Sequence, residues 1–165
     1  MRTATLVLCV LGVLAGRPAG AQEPAPPSRG EREAILAAVQ VFFDTMAAQD
    51  VLGAERVLIP EGRFHSVRQQ DGKPVIRSFS NQEYLRDLPA RKQAVRERMW
   101  DPEVRIRGRI AHVWTPYDFW TDGKFSHCGV DAFDLLKTDE GWKISGGTYT
   151  VETTCAPSPL GPLKQ

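Results

Sequence analysis

Asp118, His127 and Asp131, close together in the last third of the chain, are of types that support acid–base chemistry. A carboxylate facing an imidazole fixes its tautomer and raises its basicity, which makes a general base near neutral pH. Asp118 and His127 have the spacing for that arrangement across a hairpin. The bland alternative is an inert, half-solvated cross-strand pair. Asp131 has Phe133 two residues on, and a carboxyl in apolar surroundings holds its proton and acts as base or neutral donor. Its bland alternative is an aspartate hydrogen-bonded to Thr148.

His65 and His112 are the remaining histidines. A lone histidine is more often a surface or packing residue than a ligand. The histidines lack zinc-ligand spacing, so no metal is expected. No Ser-His-Asp order, nucleophile elbow, phosphate loop or dinucleotide fingerprint is legible, and no cofactor is expected. Arg105, Arg107 and Arg109 alternate with Val104 and Ile106, a basic row that is solvated or paired across a dimer.

Strands must position these residues. Residues 110–120 and 125–136 flank Asp122-Gly123, a strong two-residue hairpin signal, and residues 142–151 follow a second turn. A tight first turn pairs Thr121 with Lys124, placing Asp118 opposite His127 and Trp114 opposite Asp131. The second hairpin, with Lys137 opposite Trp142, sets Leu135 against Ile144 and Asp131 against Thr148. Alternation then yields two faces. One holds His112, Trp114, Asp118, His127, Asp131, Phe133, Leu135, Trp142 and Ile144, and suits a pocket. The other holds Val113, Tyr117, Phe119, Cys128, Val130, Ala132, Leu136, Tyr149 and Val151. Pro116 cannot donate to the ladder, and a bulge there would swap Tyr117 and Phe119 onto the pocket side. His65, Trp120 and Thr148 complete the candidate pocket residues.

Helices precede the sheet. Ser28-x-x-Glu31 is a capping box, and Ile35, Val39, Phe42 and Met46 make one apolar face of a helix over residues 31–49. Asp50 caps a short second helix, and residues 60–62 read as a turn before a short strand at 63–68. Ser80-x-x-Glu83 opens a third helix that Pro89 closes. Residues 95–106 alternate loosely around Asp101-Pro102. Helices followed by a meander predict an α+β fold with the helices on one face of an antiparallel sheet. The other apolar face calls for a partner subunit, hence a homodimer through Val113, Val130, Ala132 and Tyr149.

Residues 110–119 (IAHVWTPYDF), 122–133 (DGKFSHCGVDAF) and 141–144 (GWKI), ending in Cys155, resemble the nuclear transport factor 2-like superfamily, in its SnoaL-like branch of exported bacterial proteins. The likeness covers roughly residues 31–155. It implies a cone-shaped, cystatin-like roll, with a strongly curved sheet wrapped around helices, a deep apolar pocket and a sheet-to-sheet homodimer. That fold hosts isomerases, cyclases, dehydratases and proteins without known catalysis, so it does not choose an activity.

Composition bounds the rest. Arg2, the apolar run at residues 6–15 (LVLCVLGVLA) and the small residues 19–21 (AGA) read as a signal peptide over residues 1–21. The run is too short for a stable membrane anchor, which takes ~20 apolar residues. Residues 22–30 hold three prolines and read as a disordered linker; residues 156–165 are a proline-rich tail. Cleavage leaves 144 residues, one domain at 31–155, with 19 basic against 20 acidic side chains. That balance offers nothing to nucleic acid. Cys128 and Cys155 are the thiols left, and a periplasmic or secreted setting predicts that they form a disulfide. The leading expectation is an exported protein that binds a small apolar or carbonyl-bearing ligand. The alternatives are a cofactor-free enzyme of isomerase, cyclase or dehydratase type and a dimeric interaction module without catalysis.

Overall fold

The structure, a computed structural model, describes residues 28–163. The expected signal peptide and residues 22–27 of the expected linker lie outside the described residues; residues 28–30, expected in that linker, instead cap and open the first helix. Ser28 opens α1 (Arg29–Ala48), its Oγ accepting from the Glu31 N–H at 3.2 Å. Asp50 caps α2 (Val51–Val57) in the same way, accepting from the Gly53 N–H at 2.9 Å. Ser80 and Glu83 form the full reciprocal capping box of α3 (Asn81–Asp87), and Pro89 sits in the 3-10 turn that ends it.

Seven strands follow the helices or lie between them: β1 (Leu58–Gln70), β2 (Lys73–Ser80), β3 (Val95–Met99), β4 (Glu103–Arg107), β5 (Ile110–Thr121), β6 (Lys124–Thr138) and β7 (Gly141–Val151). They form one sheet in the order β2-β1-β7-β6-β5-β3, with β4 also on β5. The fold is α+β, with helices set in a large, curved sheet that does not close. The sheet is antiparallel except for β1 and β7, which run parallel.

Residues 60–62 do not turn the chain. They lie within β1, and their irregularity appears as a register shift against β7 between Leu58 and Arg63. Gly62 permits that close approach: a Cβ there would lie 2.1 Å from the Ser145 carbonyl oxygen. The true turn is Asp71-Gly72, both at positive φ, between β1 and β2.

The core lies between α1 and the concave face of the sheet. Ile35, Val39 and Phe43 meet Leu58, Val113, Phe133, Leu135 and Ile144, all at most 3% exposed. Burying such side chains supplies ~1.5–3 kcal/mol each.

Both hairpins begin in the expected register and then lose it. Thr121 faces Lys124 and Trp120 faces Phe125, but Ser126 is an extra residue, so Phe119 faces His127 and Asp118 faces Cys128. Likewise Leu135 faces Ile144, but Ser145 is extra, so Asp131 faces Tyr149 rather than Thr148. Trp114 faces Ala132, not Asp131. A one-residue slip moves every later side chain to the other face. Tyr117 and Phe119 therefore do reach the concave side, but the bulge responsible is at Ser126; Pro116 pairs regularly with Val130.

Candidate functional site

A cavity of about 240 Å³ opens between the helices and the concave face of the sheet. Its inner end is aromatic. Phe42 on α1 stacks on Phe64 of β1 at 5.6 Å and meets Phe133 edge-on at 6.1 Å. Phe79 and Tyr84 extend the cluster, stacked at 6.4 Å.

Its sheet wall is polar. β3, β5 and β6 send Glu97, Tyr117, Phe119, His127 and Asp131 inward, and β7 adds Tyr149. Asp131 is 4% exposed, and its Oδ2 has no hydrogen-bond partner among the described residues. Its carboxyl lies beside that of Glu97 in the cavity wall. Burial raises Asp131 well above the usual carboxylate range, and the Glu97 charge adds to it. Burial also pushes Glu97 up to about 7, against the pull of the Asp131 carboxyl beside it and the charge of Arg91. The two carboxyls together thus hold a proton near neutral pH.

His127 stacks on Phe119 at 4.8 Å, and its Nδ1 lies 3.0 Å from Ser126 Oγ. Burial, with the charge of Arg68, lowers its pKa below the ordinary histidine value, so the ring is neutral at pH 7. Tyr117 crosses β6 to donate to the Thr150 carbonyl at 2.6 Å. Gly129, its cross-strand neighbour, makes the crossing possible: a Cβ there would stand 2.3 Å from the same carbonyl oxygen.

Of the residues expected here, His127, Asp131, Tyr117 and Phe133 line one cavity. The others do not join them. Asp118 points to the convex face, where Arg98 grips both of its oxygens at 2.9 and 2.6 Å. The expected Asp118–His127 pair is therefore absent, because the bulge at Ser126 separates the two faces. Trp120 turns with Asp118 toward the C-terminal tail, beneath the Arg98 guanidinium at 5.4 Å. His65, Trp114 and Thr148 lie together in a shallow convex depression. His112, also convex, pairs with Asp134 at 2.9 Å. Val113, Phe119 and Tyr149, assigned to the outer face, are on the concave side, since they share the register of Phe133 and Asp131.

Glu97, Arg91, Tyr84 and Phe64 escaped sequence reasoning. Glu97 left a signal: it is the polar member of the alternating set Val95, Glu97, Met99 on one side of a short strand. Cys128 and Cys155 are joined by a disulfide with Cα atoms 6.2 Å apart. Cys128 bridges to Glu152, and the chain curls back from there.

The profile of a family described as putative lumazine-binding matches residues 30–150. No curated protein matches the chain. Solved structures do. A cystatin-like protein of unknown function from Nostoc punctiforme is 11% identical, with a TM-score of 0.62, covering 81% of this chain and 97% of that one. A nuclear transport factor 2-like protein from Cytophaga hutchinsonii is 18% identical, with a TM-score of 0.60 and coverage of 73% and 98%. A putative dehydratase of that same family from Streptomyces avermitilis is 18% identical, with a TM-score of 0.56 and coverage of 74% and 96%. At these identities the likeness establishes the fold.

Proposed function

The chain belongs to the putative lumazine-binding family, within the nuclear transport factor 2-like superfamily, and on that premise we propose that it is an exported protein whose cavity binds a small, planar ligand. The observation that carries this is the cavity itself, aromatic at its inner end and polar along one wall. Such a lining suits a flat apolar or carbonyl-bearing ring, and lumazine, the compound in the family's description, is a fused two-ring heterocycle. Native mass spectrometry of protein exported to a periplasm should reveal a bound small molecule, and added lumazine or naphthalene should raise the unfolding temperature. An empty protein indifferent to both would overturn the reading.

Export is supported by the signal-like residues 1–21, and a disulfide suits an oxidising compartment. The mature protein should begin at Gln22 by intact mass. A homodimer is supported by exposed Ile76, Trp114 and Leu136 on the sheet, together with Val130 and Ala132. Val113 and Tyr149 have left that face. Sedimentation at micromolar concentration should show two chains and Trp114→Asp one; a monomer unmoved by the change would end the idea.

A second reading, a cofactor-free enzyme, rests on neutral His127 and the protonated Asp131–Glu97 pair bordering one cavity. A neutral imidazole accepts a proton from carbon beside a carbonyl while a carboxylic acid donates to the oxygen. His127→Ala should then lower turnover by ~10²-fold. Unchanged turnover would remove His127 from the mechanism.

A further inference from the structure

A second cavity, of about 380 Å³, lies on the convex side of the sheet, beneath the C-terminal tail. Its floor is aromatic: Trp100 follows β3, Trp120 is on β5 and Phe125 on β6. Trp120 and Phe125 meet edge-on with ring centroids 5.7 Å apart. Its roof is the tail, which contributes Ala156, Pro157 and Pro162. The roof is tied down on both sides. The Cys128–Cys155 disulfide holds it before residue 156, and Arg98 donates to the Gly161 carbonyl at 2.7 Å. A strap fixed in this way leaves room beneath it for a small molecule rather than for a protein surface.

The polar groups at this cavity are spent, with one exception. Asp118 touches it, but Arg98 meets both of its oxygens, and the same guanidinium covers the Trp120 ring. A cationic ligand would compete with Arg98 for Asp118, and an anionic one would meet Asp118 with no cation among the lining residues. Ser158 Oγ accepts from the Leu160 N–H, and Thr153 is exposed to solvent. The exception is Trp120 Nε1, which is buried and has no acceptor among the described residues. An indole N–H only donates, and a buried one normally finds a partner. Independently of what the concave cavity holds, we propose that the space under the tail is a second small-molecule site. It takes a neutral, apolar molecule with a single oxygen acceptor, such as a cyclic ketone. The carbonyl accepts from Trp120 Nε1–H, and the hydrocarbon frame lies against Trp100, Phe125 and the two prolines.

Two probes test this: 1-tetralone and tetralin, which share a two-ring frame and differ at one carbonyl. Each is titrated into the disulfide-bonded protein while NMR follows the assigned indole N–H signals of Trp100 and Trp120. Tetralone should move both signals, that of Trp120 downfield, and bind roughly fivefold more tightly than tetralin, the worth of one net hydrogen bond. Tetralin should move the Trp100 signal without the downfield shift at Trp120. In Trp120→Phe the preference for tetralone should vanish while both probes still move Trp100. Equal affinities in the wild type, or a preference that survives Trp120→Phe, overturn the proposal. Should Trp120→Phe fail to fold, Phe125→Ala replaces it at a half-exposed wall residue, and should weaken both probes about fivefold; probes indifferent to Phe125→Ala overturn the proposal equally. Binding that leaves both indole signals unmoved places the probes elsewhere, which removes this inference and leaves the reading of the concave cavity standing.

Discussion

Two buried aspartates on adjacent strands have opposite fates. Asp118 on β5 is 1% exposed, and the Arg98 guanidinium meets both of its oxygens. Arg98 also donates to the Gly161 carbonyl at 2.7 Å and covers the Trp120 ring, so the convex cluster is closed and fastens the tail. Asp131 on β6 is 4% exposed, and its neighbour is another acid, Glu97. Glu97 and Arg98 are successive residues of β3, and alternation alone sends them to opposite faces. One face received a complementary charge and the other a like one. Removing one partner of a buried ion pair strands a charge and is costly, whereas an acid pair with an unmatched oxygen is costly to keep.

The comparison breaks first at Arg98. Arg98→Ala leaves Asp118 buried and alone, and should cost ~3–5 kcal/mol in chemical denaturation. A loss below ~1 kcal/mol would mean that the convex pair fastens nothing. The disulfide should come next. Its closed loop spans a sequence separation of 27, worth ~3 kcal/mol in the chain-entropy view, so Cys128→Ser with Cys155→Ser should lower the denaturation midpoint accordingly. An unchanged midpoint would show that the tail is held by Arg98 alone.

The concave side should respond with the opposite sign. Asp131→Leu replaces an unmatched acid with a hydrocarbon of similar reach, which should stabilise the protein by ~1–2 kcal/mol. A destabilisation of that size would make Asp131 a structural residue and place both aspartates in one class.

How far this contrast was legible depends on what determines each residue's place. Ser28, Asp50 and Ser80 were readable as caps because a cap is a local hydrogen bond within three residues. Asp122-Gly123 was readable as a turn for the same reason, and pairings close to it, such as Thr121 with Lys124, held. The bulges at Ser126 and Ser145 were not. An extra residue is settled by packing across the sheet, and nothing in the local pattern marks it. Yet each bulge reassigns a face, which is why Phe119 and Tyr149 were sought outside the cavity and Asp118, Trp114 and Thr148 inside it. The parallel pairing of β1 with β7 joins distant segments and left no local trace. The disulfide was legible by chemistry rather than geometry, from two remaining thiols and an expected oxidising compartment.

The smallest effect is a slope with pH, and it belongs to Glu97. Burial is its main cause: the carboxyl moves from 4.5 to about 7, with Asp118 adding a little and Asp131 and Arg91 opposing. Between those two values the folded chain keeps a proton that the unfolded chain has released. The folded state is therefore favoured at low pH; the contribution of Glu97 is complete below 4.5 and is lost as pH rises through about 7. His127 acts in reverse. Its lowered pKa means that the unfolded chain binds the extra proton, so its contribution grows as pH climbs toward 6.5. Asp131, raised as Glu97 is, slopes the same way, and His127 opposes both in the wild type. Urea midpoints measured from about pH 5 to about pH 8 on the wild type and on Glu97→Gln separate them. The difference between the two proteins should shift steadily against the wild type as pH rises. A constant difference would mean that Glu97 is ionised throughout, matched by a cation as Asp118 is, and the two faces would then be alike.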